Sequence, residues 1–185
     1  MSRPVSRQEI LDYETYEEQR SAARERMLAV KAPRRIHLGE YLTFLFENTD
    51  TMRYQIQEMI RVERLVKESS IRHEIETYNA LLGGKGELAC SLLIGITDAG
   101  RRKELLTAWR DLPRHLYLRL EDGERAYARF DPEQVGEDRL SAVQYLVFPT
   151  GGRAPVAVGT DFPPLDGEVE LTPEQRRALE EDLAS

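Results

Sequence analysis

Three histidines, one cysteine and one glutamate on an apolar helix stripe are the residues of this chain whose types and places suggest chemistry. His37, His73 and His115 are scattered. None lies four residues from another, and no His–Glu pair has metal-ligand spacing on a helix. The doubled Glu-x-x-His pattern of di-iron bundles is also absent. Cys90 stands alone, so it forms neither an internal disulfide nor a four-thiolate site. It falls between Leu88 and Leu92 on the apolar face of a strand. That suits a small core residue, with a reactive thiol as the alternative. No metal and no cofactor is expected from these residues. Gly83-Gly84-Lys85-Gly86 follows a helix and precedes a strand, the reverse of a phosphate loop, and reads as a helix stop. No nucleophile elbow is present.

Glu63 is the carboxylate out of place. On a helical wheel it lies about 20° from Met52, inside the apolar stripe, and Gln55 flanks that stripe. A carboxylate in a core must find a partner. It is therefore a member of an internal ion pair, or sits where the stripe has left the core, or lines a pocket with Gln55. A second candidate is a hairpin whose odd-numbered face carries His115, Tyr117, Arg119, Arg125, Tyr127 and Arg129. Tyrosines there offer stacking surfaces, and arginines offer anion contacts. The alternative is an ordinary solvated sheet face.

The elements that position these residues follow from hydrophobic period and punctuation. Ser6-x-x-Glu9 is a capping box for a long helix from about Arg7 to Lys31, with acids early and bases late. Ile36 to Phe46 alternates as one strand with a second face that needs cover. Met52–Lys67 and a segment from Ser70 to about Leu82 are helical. Leu88–Ile96 is a strand, and Asp98 caps a helix through Trp109. Leu116–Leu120 and Glu124–Phe130 form the hairpin. A three-residue loop, Glu121-Asp122-Gly123, keeps its faces consistent by pairing Leu118 with Ala126. Val143–Phe148 is apolar on both faces, as a central strand is. The fold class is α+β: a mainly antiparallel sheet of about five strands with about four helices. Residues 1–149 form this domain. Residues 150–185 read as a Gly/Pro-rich tail with a short terminal helix capped by Thr172.

Composition narrows the function further. A net charge of −7, from 33 acidic and 26 basic residues, gives no bulk attraction to nucleic acid or anionic membranes. One cysteine, no apolar leader and no membrane-length stretch point to the cytoplasm.

The strings Phe46-Glu47-Asn48-Thr49-Asp50-Thr51, Gln55-Ile56-Gln57-Glu58-Met59-Ile60-Arg61, Tyr78-Asn79-Ala80-Leu81 and Arg139-Leu140-Ser141-Ala142-Val143-Gln144-Tyr145 carry a resemblance. Together they resemble an uncharacterised bacterial family, domain-of-unknown-function family 3501. The resemblance runs to about Pro149 and leaves the tail outside. It implies a neighbourhood with a rubrerythrin-like protein and an iron–sulfur protein, hence an accessory or interaction role in a redox or oxidative-stress system. It implies no active-site residue. The alternative is a small-ligand-binding protein or enzyme built around Gln55 and Glu63. The long first helix and the two-faced first strand also suggest a homodimer.

Overall fold

The computed structural model describes residues 3–184. The chain is α+β, with two antiparallel four-stranded sheets facing one another and five α-helices among the described residues. The first sheet has the order β1-β2-β3-β6, from β1 (Arg35–Leu38), β2 (Leu42–Glu47), β3 (Leu88–Ile94) and β6 (Val143–Phe148). The second has the order β5-β4-β7-β8, from β4 (Leu116–Leu120), β5 (Arg125–Tyr127), β7 (Pro155–Thr160) and β8 (Gly167–Glu170). Phe44, Phe46, Leu92, Leu146 and Phe148 of the first share one core with Leu116, Leu118 and Val158 of the second. At one corner Arg129 and Val147 exchange two backbone hydrogen bonds, 2.8 and 2.9 Å, that tie the sheets together.

Four expectations need correction. The long first helix begins later, as α1 (Tyr13–Lys31). The Ser6–Glu9 box forms but caps only a single 3-10 turn, Arg7–Glu9. Asp12 is the stronger cap: one carboxylate oxygen accepts the Glu14 and Thr15 amides at 3.1 and 2.9 Å. Between the two caps the backbone of Leu11 is held in both directions by the Gln57 side chain, each bond 2.9 Å. Second, the strand read from Ile36 to Phe46 is a hairpin of β1 and β2. Gly39, at φ +61°, makes the left-handed turn residue that a continuous strand would not tolerate. Third, the single sheet is two sheets. Fourth, the Gly/Pro-rich segment is no loose wrap. β7 is buried at every residue and pairs with both β4 and β8, so it is a central strand. Gly151 and Gly152 mark a turn, but Pro155 and Gly159 lie within β7 and Gly167 within β8, which is why the segment reads as a linker in sequence.

α2 (Thr49–Glu63), α3 (Glu68–Asn79) and the N-terminal segment form a second, smaller core of Val5, Ile10, Met52, Ile56, Ile60, Ile71 and Ile75. α1 lies along α2. Glu58 joins them, accepting from the Tyr16 hydroxyl at 2.7 Å and from Arg20 Nε and Nη2 at 2.9 and 3.0 Å. The faces thought to need a second copy are covered within the chain. Tyr41 packs edge-on against Trp109, and Leu45 is buried. α4 (Ala99–Ala108) and α5 (Pro173–Ala184) add Leu106 and Leu179 to the main core.

The α5 attachment is polar and buried. Asp182 accepts from Arg34 Nε at 2.7 Å and Nη2 at 2.9 Å, and from Asn48 Nδ2 at 2.9 Å. Burial opposes the Arg34 charge, but the Asp182 hydrogen bonds and charge outweigh it and hold its pKa above the usual arginine value.

Candidate functional site

The site is made at the junction of β2 and α2. Phe46 points into the sandwich, so Glu47, its neighbour, faces the opposite side of the sheet. Asn48 then ends the strand and caps α2. Its Oδ1 accepts the Thr51 amide at 3.0 Å, and Thr51 Oγ1 accepts the Asn48 amide at 2.9 Å. This reciprocal cap fixes the angle at which α2 rises over the outer face of the first sheet. Met52 and Gln55 therefore stand above Leu45 and Glu47, with a cleft of about 210 Å³ between them.

Strand register builds the floor. Leu45, Ser91 and Tyr145 lie side by side across β2, β3 and β6, and Leu93 pairs with Val143 one row on. Ser91 lies diagonally across from Glu47, and its hydroxyl donates to Glu47 Oε1 at 2.7 Å. Tyr78 of α3 and Lys31 from the end of α1 complete the wall. Burial holds the Tyr78 hydroxyl above its usual pKa, against a lowering by Gln55 beside it. The Lys31 ammonium sits 5.2 Å above the Tyr54 ring. The result is a largely apolar, partly aromatic cleft lined also by the Glu47 carboxylate, the Gln55 amide, the hydroxyls of Ser91, Tyr78 and Tyr145, and Lys31. Such an arrangement can bind a small molecule, with the Ser91 hydroxyl and the Glu47 carboxylate already hydrogen-bonded to each other on its floor.

Gln55 is thus where a pocket reading needs it, but Glu63 is not. Glu63 is exposed, in a separate shallow depression with Leu65, Ser69, Ser70, His73 and Glu74. The buried stripe of α2 is Met52, Ile56 and Ile60. Arg64 then takes a left-handed conformation, φ +50°, and Leu65 closes the helix on the Ile60 carbonyl at 3.0 Å. The stripe leaves the core one turn before Glu63, so the wheel carried the pattern past the end of its cover.

The hairpin has the expected register: Tyr117 opposite Tyr127, Leu118 opposite Ala126 and Arg119 opposite Arg125. Gly123, at φ +86°, supplies the left-handed loop residue. Its odd face is not an open basic surface, however. Tyr117 is buried, 5.7 Å from Tyr127 between ring centroids, with the Arg125 guanidinium 4.1 Å above it. Arg119 is paired with Glu168 at 2.8 Å and with Glu170, both on β8. Asp161 accepts from Tyr127 at 2.6 Å, lies 2.7 Å from His115 Nδ1 and faces Arg125. These neighbours, Tyr127 first, hold the Asp161 carboxyl below its usual pKa. Three of the acids that neutralise this face, Asp161, Glu168 and Glu170, lie beyond residue 150, in the segment read as a tail, while Arg129 pairs with Glu87.

Glu47, Ser91, Tyr78, Tyr145 and Lys31 were missed as site residues. Glu47, Tyr78 and Tyr145 stood inside the strings that carry the resemblance, which was the available signal. Ser91 and Lys31 left none. Among the described residues no group of three or more His, Cys, Asp and Glu is placed to hold a metal ion, and no helix is long and apolar enough to cross a membrane. Cys90 is fully enclosed on the inner side of β3, and burial pushes its thiol well above the usual value, with the Glu47 charge adding to the rise.

A family model described as protein of unknown function, DUF3501, matches residues 4–183. The chain belongs to the DUF3501 family. The match includes the Gly/Pro-rich segment, as the central place of β7 requires, so the resemblance extends past Pro149. The DUF3501 chain is also similar to a crystal structure of a protein of unknown function from Burkholderia pseudomallei. The two are 27% identical with a TM-score of 0.89, over 98% of this chain and 100% of that one. Among curated proteins, none matches the chain.

Proposed function

We propose that this DUF3501 chain is a non-enzymatic binding protein whose ligand, a small organic molecule, lies between α2 and the outer face of the first sheet. One observation carries the reading. The four strings of the family resemblance span residues 46 to 145, and each lends a side chain to the same cleft: Glu47, Gln55, Tyr78, and Val143 with Tyr145. Pockets that bind small molecules are concave and mostly apolar, with a few convergent polar groups. At about 210 Å³ the cleft suits a compact ligand rather than a dinucleotide. A binding protein can serve as an accessory to a redox system, beside a rubrerythrin-like or iron–sulfur partner, without itself carrying electrons. The enclosed Cys90 thiol fits that division of labour.

Amide-resolved NMR with a fragment library tests the reading. Hits should shift the amides of Leu45, Ser91 and Tyr145, and a Leu93→Trp variant, which fills the cleft, should lose them. Hits that cluster elsewhere and survive Leu93→Trp would refute it.

A further inference from the structure

We infer that the ligand of this cleft is a small organic cation, a primary ammonium on an apolar or aromatic body, with Glu47 as its counter-charge; this rests on the binding reading above. Glu47 is half-buried on the cleft floor, and its hydrogen bond comes from the neutral Ser91 hydroxyl. The half-buried carboxylates Glu9, Glu58 and Glu87 each pair with an arginine. Among the described residues Glu47 has no cationic nitrogen within 4.0 Å, although the chain is rich in arginine. Lys31, the one lysine of the cleft, has its ammonium over Tyr54.

A carboxylate in a cleft with a single donor keeps most of its acceptor capacity unused. An ammonium brings three donors and the missing charge. The surroundings fit the rest of such a molecule. Tyr78 and Tyr145 bring aromatic rings, a residue type that attracts cations, and Gln55 brings an amide. Leu93 and Val143 receive the apolar body. A carboxylate ligand would bring a second negative charge against Glu47 in a partly dehydrated space.

Three probes with one aryl body and different head groups separate the possibilities: phenethylammonium, 2-phenylethanol and 3-phenylpropionate, titrated at neutral pH and followed by the cleft amides. Phenethylammonium should bind at least about tenfold tighter than the alcohol, the margin of a charge-assisted hydrogen bond, and the propionate should bind weakest. Glu47→Gln keeps an acceptor for Ser91 and should erase the preference. If all three probes bind in the cleft equally, or Glu47→Gln leaves the order unchanged, the cation inference is wrong while the binding reading stands. If none of them shifts the cleft amides, or Leu93→Trp leaves the shifts in place, the binding reading itself falls. The head-group order in the wild-type protein needs no variant, so a poorly folding Glu47→Gln would not rescue the inference.

Discussion

Removing the Asp182 carboxylate should weaken the attachment of α5 markedly, because it leaves a buried guanidinium without its partner. The Arg34 and Asp182 side chains are 9% and 5% exposed. In Asp182→Ala the guanidinium loses its two short bonds to the carboxylate, and Asn48 Nδ2 loses its acceptor. Arg34 keeps the Val30 carbonyl at 2.8 Å and a long 3.5 Å contact to the Ala178 carbonyl. Breaking one side of a buried pair costs about 3–5 kcal/mol, and the remaining acceptors place this case near 3 kcal/mol. For a chain of this size that lowers Tm by roughly 6–12 °C. Urea denaturation and calorimetry at neutral pH measure both. Replacing the pair by Arg34→Met with Asp182→Leu should recover most of the loss. The remaining deficit is about 1 kcal/mol, for the unpaired Asn48 amide. A loss below about 1 kcal/mol for Asp182→Ala, or a double variant no better than the single one, would refute the claim that a desolvated charge is what is lost.

Three further outcomes follow from the geometry. Burial raises the Glu58 pKa, but Arg20, Tyr16 and Arg61 outweigh it, and the folded value lies below the ordinary one. Its stabilising effect is therefore complete above the unfolded glutamate pKa of about 4.3 and fades as pH falls through the lower folded value. The stability gap between wild type and Glu58→Gln should shrink below about pH 4; a constant gap from neutral pH to about pH 3 would contradict this. Gly159 faces Tyr117 across β7 and β4, and a Cβ there would lie 2.5 Å from the ring end. Because Arg125 and Tyr127 hold that ring, Gly159→Ala should cost about 1–3 kcal/mol in a urea titration, with partial rescue by Tyr117→Leu; full stability would show that the ring moves freely. Cys90 should react with a thiol reagent only as fast as the protein opens, so rapid reaction of the native protein would overturn its placement in the core.

Local signals were legible where a residue's neighbours in sequence are also its neighbours in space. The hairpin register came from face parity, the Asp98 cap from its place before a helix, and the α3 stripe of Ile71 and Ile75 from its period. The misread elements are those decided by distant chain. Ile36–Phe46 alternates like a single strand, and only the fold of Gly39 splits it. β7 carries Pro155 and Gly159 within it and is buried at every residue, so its central place shows in its pairing with β4 and β8 rather than in an alternating pattern of its own. Glu63 failed because a wheel knows period but not where cover ends. The cleft was half legible. Gln55 was visible as a polar residue beside an apolar stripe. Glu47 carried no signal of its own in the sequence; the pairing of β2, β3 and β6 brings Ser91 and Tyr145 to the same face of the sheet.

The central claim is that the cleft under α2 is a ligand site, and a crystal structure with phenethylammonium bound tests it most directly. The ammonium should lie within hydrogen-bond reach of Glu47 and the aryl group against Leu93, Val143 and Tyr145. An occupied probe seated anywhere else, with the cleft empty, would contradict it.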